Sequence, residues 1–355
     1  MAQKKRIVAI VIVSYNGREY LERCLGSIFD DVHETIEKRV YVVDNASTDE
    51  TLAYIARAWP QVRVVRSDTN RGYAGGNTIG WKVVLEDMPD IEYIFLLNQD
   101  TFVEKRFLDP LVTYLDSHRN AAAAQPRLML FPETNRINSL GNVIHFLGLG
   151  YSSFNGTVWH ESDPYTVSIG YASGAALLLR RSAIDRIGLF DDFMFMYLED
   201  LDLGWRMLLA GYDIGVVRSS VVYHRYEFSR GQRQYYFFER NRLWILLKNY
   251  RIATLVLLLP SWLFLELGIL AAAIANGHGR DKLRAYGYFF KPSSLAALAR
   301  DRRRTQALRS RNDRSLIRVF SGTINFQPLH GALLRYVANP VLRVCHLILK
   351  NVVFW

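Results

Sequence analysis

The sequence predicts an α/β protein with a doubly wound, mainly parallel β-sheet, followed by a helical C-terminal region that is both apolar and basic. Three observations predict this. Apolar strands alternate with amphipathic helices over the first hundred residues, polar clusters follow several strands, and a long apolar stretch begins near residue 250. We therefore divide the 355 residues into an α/β domain at 1–250 and a helical region at 251–355.

The strand–helix alternation begins with Ile7–Val13, a continuous apolar run of the kind that a parallel sheet covers on both faces. Helical spacing and short apolar runs predict the elements that follow. In chain order these are a helix at Glu19–Phe29, a strand at Arg39–Val43, a helix at Thr51–Ala58, a strand at Val62–Arg66, a glycine-rich turn at Asn70–Asn77 that opens a helix at Thr78–Leu85, and a strand at Tyr93–Leu97.

The second half of this domain is less regular. Residues 125–170 predict loops and antiparallel strands, and Ser168–Arg180 predicts a strand that enters the core. An amphipathic helix follows, and strands are expected at Tyr212–Val217 and Val221–His224.

Three carboxylates, Glu199, Asp200 and Asp202, stand at the start of that amphipathic helix. The free N–H groups and the macrodipole of a helix N-terminus stabilise negative charge. The acids are therefore explained either as helix caps or as functional groups.

Polar clusters end three of the predicted strands: Ser14–Asn16, Asp44–Asn45 and Asn98–Asp100. Ligands of such sheets bind beyond the carboxyl ends of the strands, so we expect the clusters to share one crevice. Asp100 could join a divalent cation to a diphosphate. Asp44 suits either a nucleoside contact or an Asx turn, and Arg71 either a phosphate contact or a solvated loop.

Composition excludes several classes of protein. Cys24 and Cys345 suit neither a disulfide framework nor a thiolate metal site, which favours a reducing compartment. The run at Ile7–Val13 is too short for a signal peptide. The formal net charge is +10, and the excess of Lys and Arg lies mainly after about residue 225. This asymmetry predicts a polyanionic partner, either nucleic acid or an anionic membrane.

The C-terminal region carries the membrane signal. Ile252–Ala275 is long enough to cross a bilayer, but both of its flanks are basic. Because the positive-inside rule disfavours moving either flank across, we favour a Pro-kinked hairpin or in-plane attachment over a span. A buried helical pair in a soluble domain remains the third interpretation. Leu329–Trp355 predicts an interfacial amphipathic helix.

Seven motifs in order make a resemblance specific. They are Ile10–Asn16, Val42–Asp49, Asn70–Asn77, Leu96–Thr101, Ser173–Ala175, Phe190–Asp191 and Tyr197–Leu203. Over residues 6–250 this series resembles the family-2 inverting glycosyltransferases of GT-A fold, nearest the bacterial rhamnosyltransferase-like branch. The expected fold is then a GT-A doubly wound mixed sheet with a C-terminal helical, membrane-associating extension.

The resemblance implies roles for individual residues. Asp200 would be the catalytic base, and Glu199 and Asp202 would orient the start of the helix, bind acceptor hydroxyls or raise the pKa of Asp200. Asp100 and His224 would bind Mg²⁺ or Mn²⁺, although Asn98 replaces the first Asp of the usual Asp-x-Asp motif. The donor nucleotide would be held by Ser14, Tyr15, Asn16, Asp44, Arg71 and Asn98, with Asn77 as a further candidate.

The resemblance also implies a substrate class and a place in the cell. The donor would be dTDP-L-rhamnose, or alternatively a UDP-sugar such as UDP-galactofuranose. The acceptor would be a lipid-linked saccharide or a growing polysaccharide. The enzyme would lie at the cytoplasmic face of the inner membrane as a peripheral or monotopic protein, with no nucleic acid as partner.

Three other functions compete with this one. A sugar-nucleotide nucleotidyltransferase would need a basic glycine-rich motif after the first strand, where only Arg18 is found. A nucleic-acid-binding protein would use the basic stretch Ala299–Arg318 and the aromatic run Gln232–Phe238 but leave the N-terminal motifs idle. An inactive scaffold is disfavoured by the presence of Asp100, Asp200 and His224.

Overall fold

The centre of the molecule is a mixed sheet of nine strands within the residues that the computed structural model describes, which are 5–152, 154–162, 169–226, 234–325 and 331–355. The strands are β1 (Arg6–Ser14), β2 (Ile36–Asp44), β3 (Arg63–Arg66), β4 (Tyr93–Asn98), β5 (Thr101–Val103), β6 (Ala121–Leu130), β7 (Ile137–Ser139), β8 (Val143–Ile144), β9 (Gly150–Tyr151), β10 (Ala176–Arg180) and β11 (Asp213–His224). Their order in the sheet is β3-β2-β1-β4-β10-β6-β11-β5, with β7 paired to β6, while β8 and β9 form a separate pair.

Helices cover both faces of the sheet and continue beyond it. They are α1 (Arg18–Phe29), α2 (Thr51–Ala58), α3 (Gly72–Asp87), α4 (Leu108–Ser117), α5 (Arg181–Ile187), α6 (Glu199–Leu209), α7 (Tyr235–Asn249), α8 (Ile252–Ala275), α9 (Gly279–Tyr288), α10 (Pro292–Ala307), α11 (Asp313–Val319) and α12 (Asn339–Val352).

The parallel half of the sheet confirms the predicted alternation. β1 pairs in parallel with both β2 and β4. Its alternate residues enter two different cores: Ile10 and Ile12 pack with α1, and Val11 packs with the α3 side. Burial on both faces explains why β1 is a continuous apolar run rather than an alternating one.

The second half of the sheet differs from the prediction. β10 runs antiparallel to both β4 and β6, so the sheet is mixed. The two strands predicted around residues 212–224 are one strand, β11, with an irregularity between Val217 and Val221. Helix α3 begins at Gly72 and so takes in most of the predicted turn. Ser168, where one strand was expected to begin, lies outside the described residues.

The C-terminal third consists of helices that pack on α6 and α7. Helix α8 continues through Pro260 as one helix, so the predicted kinked hairpin does not form. Leu258 and Leu265 of α8 share a core with Trp205 of α6 and Trp244 of α7. The beginning of the predicted helix at Leu329–Trp355 lies outside the described residues, and α12 forms its second part.

Buried charges also cross the proposed boundary at residue 250. Glu239 and Arg242 of α7, Glu266 of α8 and Lys282 of α9 form one cluster in which both cations contact both carboxylates. All four residues are buried. Two cations balance two carboxylates, which is the condition for tolerating such charges in a protein interior.

Part of the basic stretch Ala299–Arg318 is used inside the molecule. Arg302 donates to the carbonyls of Leu247 and Tyr250 at 2.5 and 2.6 Å. Arg309 pairs with Asp313 at 2.6 Å. Arg309 also donates to the Asn249 carbonyl at the end of α7. Because both guanidinium groups connect the end of α7 to the helices that follow, they are not available to an external polyanion.

Candidate active site

The three polar strand ends meet at one edge of the sheet, as the sequence predicted. The register sets Ser14 beside Asp44, and Val13 beside Asn98. A cleft of about 330 Å³ opens there. Its lining comes from the ends of β1, β2 and β4, from the start of α3 and from the segment before α6: Val13, Tyr15, Asn45, Asn70, Gly72, Tyr73, Asn98, Gln99, Asp100 and Met196.

Three buried polar atoms at this edge have no hydrogen-bond partner: Ser14 Oγ, Asp44 Oδ1 and Asn98 Oδ1. A buried polar atom without a partner costs free energy, of the order of 1–3 kcal/mol. Asn98 lines the cleft, and Ser14 and Asp44 are each adjacent in sequence to residues that line it. Unpartnered atoms at such a place are expected where a polar ligand completes the hydrogen bonding. The other oxygen of Asp44 accepts a 3.4 Å hydrogen bond from the Ser47 backbone, so the Asx turn and the predicted ligand contact are compatible.

The remaining predicted nucleotide residues lie around the same edge. Tyr15 is 45% exposed. Asn16 has a left-handed backbone, and its side-chain oxygen accepts from the Thr48 backbone at 2.8 Å. Arg71 is exposed at the start of α3. Asn77 is different, because it is buried within α3 and its amide donates to the Tyr73 carbonyl.

Asp100 and His224 lie together, although they are distant in sequence. The pairing of β5 with β11 sets His224 beside Thr101, and His224 Nε2 lies 3.5 Å from Asp100 Oδ1. On its other side, His224 Nδ1 lies 2.9 Å from the Asn138 side-chain oxygen. A neutral His224 that donates to Asn138 turns the lone pair of Nε2 toward the Asp100 carboxylate. Two electron-pair donors that face each other suit a cation between them.

This pair is not a complete protein cage for a metal ion. Within the described ranges, no three His, Cys, Asp or Glu side chains are grouped closely enough to hold one. Asp100 and His224, one carboxylate and one imidazole, are nevertheless donors of the kind that fits Mg²⁺ or Mn²⁺. Such ions commonly combine one or two protein carboxylates with the phosphate oxygens of a substrate.

The segment between the cleft and α6 has an unusual backbone. Phe195, Tyr197 and Leu198 all have positive φ angles of 63° to 68°. For residues with a Cβ atom this conformation costs about 1–3 kcal/mol each, and it concentrates at functional sites. The Phe195 carbonyl accepts a hydrogen bond from the Ala74 N–H at 3.0 Å. Gly72, also at positive φ, permits this approach, because a Cβ there would lie 2.2 Å from the Phe195 oxygen.

Asp200 lies at the start of α6 and is connected to the sheet edge through Gly174 and Ala175, each of which forms one hydrogen bond. Its Oδ2 accepts from the Gly174 N–H at 3.0 Å, and the neighbouring Ala175 carbonyl accepts from the Asn98 N–H at 2.9 Å. Its Oδ1 accepts from the Leu201 N–H at 2.8 Å. The strand-end cluster and the acidic helix are therefore connected through Gly174 and Ala175.

Burial gives this pair of carboxyl groups unusual acidities. It raises the pKa of Asp200 to about 6, although N–H groups of Gly174 and Leu201 oppose the rise. Burial, and after it the charge on Asp200, raises the pKa of Glu199 well above its usual value. Because Asp200 accepts two N–H groups and Glu199 Oε2 has no partner, Asp200 ionises first.

Tyr73 lines the cleft, and its hydroxyl donates to the Gly174 carbonyl. Burial, then the charges on Glu199 and Asp200, and more weakly that on Asp100, raise the pKa of its phenol well above the usual value. The Tyr73 hydroxyl therefore joins the wall of the cleft to Gly174, and the Gly174 N–H in turn donates to Asp200.

Asp202 does not fit the acceptor-binding role that the sequence predicted. Its side chain is fully buried, and Lys248, Arg206 and Asn249 contact its two oxygens at 2.8, 2.8 and 3.2 Å. Burial alone would raise its pKa, but the two cations outweigh that effect and lower it. With no exposed oxygen, Asp202 ties α6 to α7 instead.

We expect Asp202→Asn to lower the free energy of unfolding by about 3 kcal/mol, because it leaves two cations buried without their shared carboxylate. The loss stays at the low end of the range for broken buried pairs, since Lys248 retains Asp191 at 3.1 Å. Denaturant unfolding measures it. Asp213→Asn is the control: Asp213 pairs with Arg311 at the surface, and its loss should cost less than about 1 kcal/mol. Equal losses would contradict this account of Asp202.

Sequence reasoning missed several residues of the site. Tyr73 and Gln99 lie inside predicted motifs, so the motifs themselves contained the signal. Asn138 lies in the region predicted only as loops and antiparallel strands, and no local pattern marks it as the partner of His224. Met196 looks like an ordinary core residue in the sequence, yet it lines the cleft.

The family model described as "Glycosyl transferase family 2" matches residues 9–188. The N-acetylglucosaminyl-diphospho-decaprenol L-rhamnosyltransferase of Mycobacterium tuberculosis (strain H37Rv) is 28% identical over 246 residues, which cover 64% of this chain and 78% of the relative. Rhamnosyltransferase WbbL of Escherichia coli (strain K12) is 27% identical over 217 residues, which cover 58% of this chain and 78% of WbbL.

Two solved structures are similar in fold. GalNAc-T7 with UDP, GalNAc and Mn²⁺ gives a TM-score of 0.56 at 16% identity, over 68% of this chain and 47% of the GalNAc-T7 chain. TarS residues 1–349 from S. aureus, in complex with UDP-GlcNAc, gives 0.53 at 14% identity, over 97% of this chain and 90% of TarS 1–349. These likenesses support a GT-A-like mixed α/β fold.

Proposed function

The chain belongs to glycosyl transferase family 2 and is a glycosyltransferase of the rhamnosyltransferase-like branch, and from this premise we propose a metal-dependent transfer of L-rhamnose with inversion. The observation that carries the proposal is the Asp100–His224 pair at the cleft, together with the Asp200 carboxylate that accepts from Gly174, the residue to which Tyr73 of the cleft wall donates. An inverting transfer needs charge stabilisation at the leaving diphosphate and a base at the attacking hydroxyl. Groups suited to both tasks lie at this site.

The donor nucleotide is assigned to the cleft at the strand ends. Ser14, Asp44 and Asn98 would complete their hydrogen bonding on it, and Tyr15 and Arg71 lie exposed at its rim. Asp100 and His224 would hold Mg²⁺ or Mn²⁺ beside the diphosphate. When bound, the ion supplies positive charge against the negative charge that develops on the leaving nucleoside diphosphate.

Asp200 takes the proton of the acceptor hydroxyl in this proposal. As the oxygen attacks the anomeric carbon, its O–H bond breaks and the proton passes to Asp200, while the bond to the diphosphate breaks on the opposite face. Two backbone N–H groups hold the carboxylate in place. A pKa of about 6 makes Asp200 a stronger base than an ordinary carboxylate, yet still ionised at neutral pH.

The choice of substrates rests on the relatives. The mycobacterial relative is an N-acetylglucosaminyl-diphospho-decaprenol L-rhamnosyltransferase. We infer dTDP-L-rhamnose as donor and a lipid-linked saccharide as acceptor, in the synthesis of a cell-surface glycan. The second candidate is a UDP-sugar transferase, which the UDP-GlcNAc complex of TarS supports.

A donor screen tests the proposed function. The whole protein is incubated with dTDP-L-rhamnose, UDP-GlcNAc, UDP-galactose and UDP-galactofuranose, each with Mg²⁺, with Mn²⁺ or with a chelator, and release of the nucleoside diphosphate is measured. We expect the highest rate with dTDP-L-rhamnose and a loss of that rate with the chelator. A higher rate with a UDP-sugar would favour the second candidate. No release from any donor would overturn both.

The rate should depend on pH through Asp200. A base must be ionised to accept a proton, and burial raises the pKa of Asp200 to about 6. We therefore expect kcat to fall about tenfold per pH unit below 6 and to level off above 7. Initial rates between pH 4.5 and 8.5 at saturating donor measure this. A midpoint near 4, the usual value for an aspartate, would contradict the buried setting of the base.

We also propose that helices α8 and α12 attach the protein to the cytoplasmic face of an anionic membrane as a peripheral or monotopic protein. By length and composition, α8 is the one helix of the described residues that could cross a membrane. Only one of its faces is buried.

Helices α8 and α12 contact each other, and both expose large apolar side chains: Ile252, Val256, Leu259, Leu263 and Leu267 on α8, and Val344, Leu347 and Ile348 on α12. Exposed Arg251, Arg335 and Arg343 border this surface and would be attracted to anionic lipid, each by about 1 kcal/mol.

We expect the double variant L347E/I348E to bind anionic vesicles at least about tenfold more weakly. Both residues are half exposed, and burying the exposed half of each in lipid stabilises binding by about 1 kcal/mol. Flotation with vesicles of phosphatidylglycerol and phosphatidylcholine measures it. Val32→Glu is the control, because Val32 is 79% exposed on the α/β half. Unchanged flotation of the double variant would exclude this surface.

A further inference from the structure

We propose that Asn241 of α7 is a positioning residue, which holds the segment 193–198 in its strained conformation and thereby sets Asp200 and the wall of the donor cleft. The inference rests on the proposed function, since it assigns the base to Asp200. It concerns a residue outside the motifs from which the family resemblance was drawn, on a helix beyond the sheet.

The contacts of Asn241 are concentrated on this one segment. Its side-chain nitrogen donates to the carbonyls of Met194, Met196 and Tyr197 at 2.9, 3.1 and 2.8 Å. The two N–H groups of the Asn241 amide are therefore shared among three carbonyl oxygens. The Asn241 side chain is fully buried, so water cannot replace these bonds.

Arg240 fixes both Asn241 and the same segment. It donates to the Asn241 side-chain oxygen at 2.9 Å, which orients the amide so that its nitrogen faces the carbonyls. The Arg240 guanidinium also donates to the Phe193 and Met194 carbonyls at 2.7 and 3.1 Å and lies over the Phe193 ring. Donors from two successive residues of α7 therefore meet the carbonyls of one short segment.

The held segment connects the two halves of the site. Met196 lines the donor cleft, and Phe195 accepts a hydrogen bond from α3 through its carbonyl. Leu198 then leads directly into α6, whose second residue is Asp200. Residues with positive φ angles stay in that conformation only when their surroundings enforce it. Without the Asn241 amide, we expect the segment to relax and Asp200 to shift.

Helix α7 is itself held firmly enough to act as a support. The residues on either side of the pair, Glu239 and Arg242, belong to the buried charge cluster with α8 and α9. At the other end of the helix, Lys248 pairs with Asp202 of α6. The amide of Asn241 therefore projects from a helix that is fixed at both ends.

The test compares Asn241→Asp with wild type in the whole protein. The substitution keeps the shape of the side chain but turns a carboxylate oxygen toward the carbonyls in place of the two N–H donors. We expect kcat to fall at least about a hundredfold, as for other small displacements of catalytic groups, and the donor KM to rise by a smaller factor, because Met196 of the same segment lines the donor cleft. In Asn241→Ser, which loosens the segment without adding a charge, we also expect the acid limb of the pH–rate profile to move to lower pH, because water then reaches Asp200.

Ile245→Ala is the matched control. Ile245 is fully buried on the same helix, in the core that also contains Met194 and Leu198, and its side chain has no polar atom. Its truncation therefore lowers stability and loosens packing but leaves the N–H donors to the segment in place. Its kcat should stay within about threefold of wild type, with an unmoved pH profile. If Asn241→Asp does not fold, Asn241→Ser, which keeps one donor, should show the same loss of kcat to a smaller degree.

The outcomes separate the two claims. An active wild type together with an unchanged kcat in Asn241→Asp and an unchanged pH profile in Asn241→Ser would overturn the positioning role alone. A loss of kcat with an unmoved acid limb in Asn241→Ser, matched by Ile245→Ala, would likewise reduce Asn241 to a structural residue. A wild type that releases no nucleoside diphosphate from any donor would overturn the proposed function instead.

Discussion

Asp200→Asn is expected to lower kcat at least about a thousandfold, because general-base removal of the acceptor proton is lost and the amide cannot accept that proton at neutral pH. Donor binding should change less than about threefold, since Asp200 belongs to the acceptor side and does not line the cleft. Rates with saturating donor and acceptor, together with calorimetric binding of dTDP and Mg²⁺, measure the two quantities separately.

Asp192→Asn is the matched control for this variant. Asp192 is an exposed carboxylate eight residues earlier in the chain, near the same segment but outside the site. Its kcat should equal that of wild type. If Asp200→Asn retained a rate within tenfold of wild type, proton removal would have to be assigned to another group, and Glu199 would be the nearest.

Asp100→Ala should reduce kcat/KM about a thousandfold and remove the dependence of donor binding on Mg²⁺ or Mn²⁺. The reason is that loss of this carboxylate leaves His224 and the diphosphate to hold the ion, and an ion at a leaving group is worth several kcal/mol of transition-state stabilisation. Titration of the metal at fixed donor concentration, followed by binding and by rate, measures the effect.

The control for this second variant is Asp90→Ala, at an exposed position that precedes β4 while Asp100 follows it. It should bind donor and metal as the wild type does. Metal titration curves of Asp100→Ala that superimpose on those of the wild type would remove Asp100 from the metal site. His224→Ala would then show whether the histidine alone holds the ion.

The sequence predicts the parallel half of the sheet well, because each element there depends on a local pattern. Ile7–Val13 is apolar throughout since β1 is buried on both faces, and its register with β2 and β4 brings the polar strand ends together. The convergence of Ser14, Asp44 and Asn98 follows from topology alone, without knowledge of any side-chain contact.

Elements that depend on distant partners could not be predicted in the same way. β6 opens with four alanines, which have low strand propensity, and it becomes a strand because β10 and β11 pair with it. Asp202 shares its helix and spacing with Asp200, but its partner Lys248 follows 46 residues later. Nothing near Asp202 in the sequence distinguishes an internal ion pair from an acceptor contact.

The functional site shows the same division. Asp100 and Asp200 could be proposed from the sequence because they stand at element ends, where charge is stabilised or ligands bind, and because they lie in the motifs that carry the family resemblance. The residues that orient them could not: Asn138 contacts His224 across 86 residues, and Asn241 contacts Tyr197 across 44. Supporting side chains are chosen by the tertiary fold, so they have no short-range signature.

The buried cluster of Glu239, Arg242, Glu266 and Lys282 has a consequence for engineering. A chimera that joins the α/β half of this enzyme to the tail of a relative at residue 250 would separate two of these charges from the other two. Each half of the chimera would then bring buried charged side chains into an interior that lacks their original partners. A functional chimera would join the two proteins before α7. Helix α7 and the C-terminal helices, whose buried charges pair with each other, would then come from the same protein.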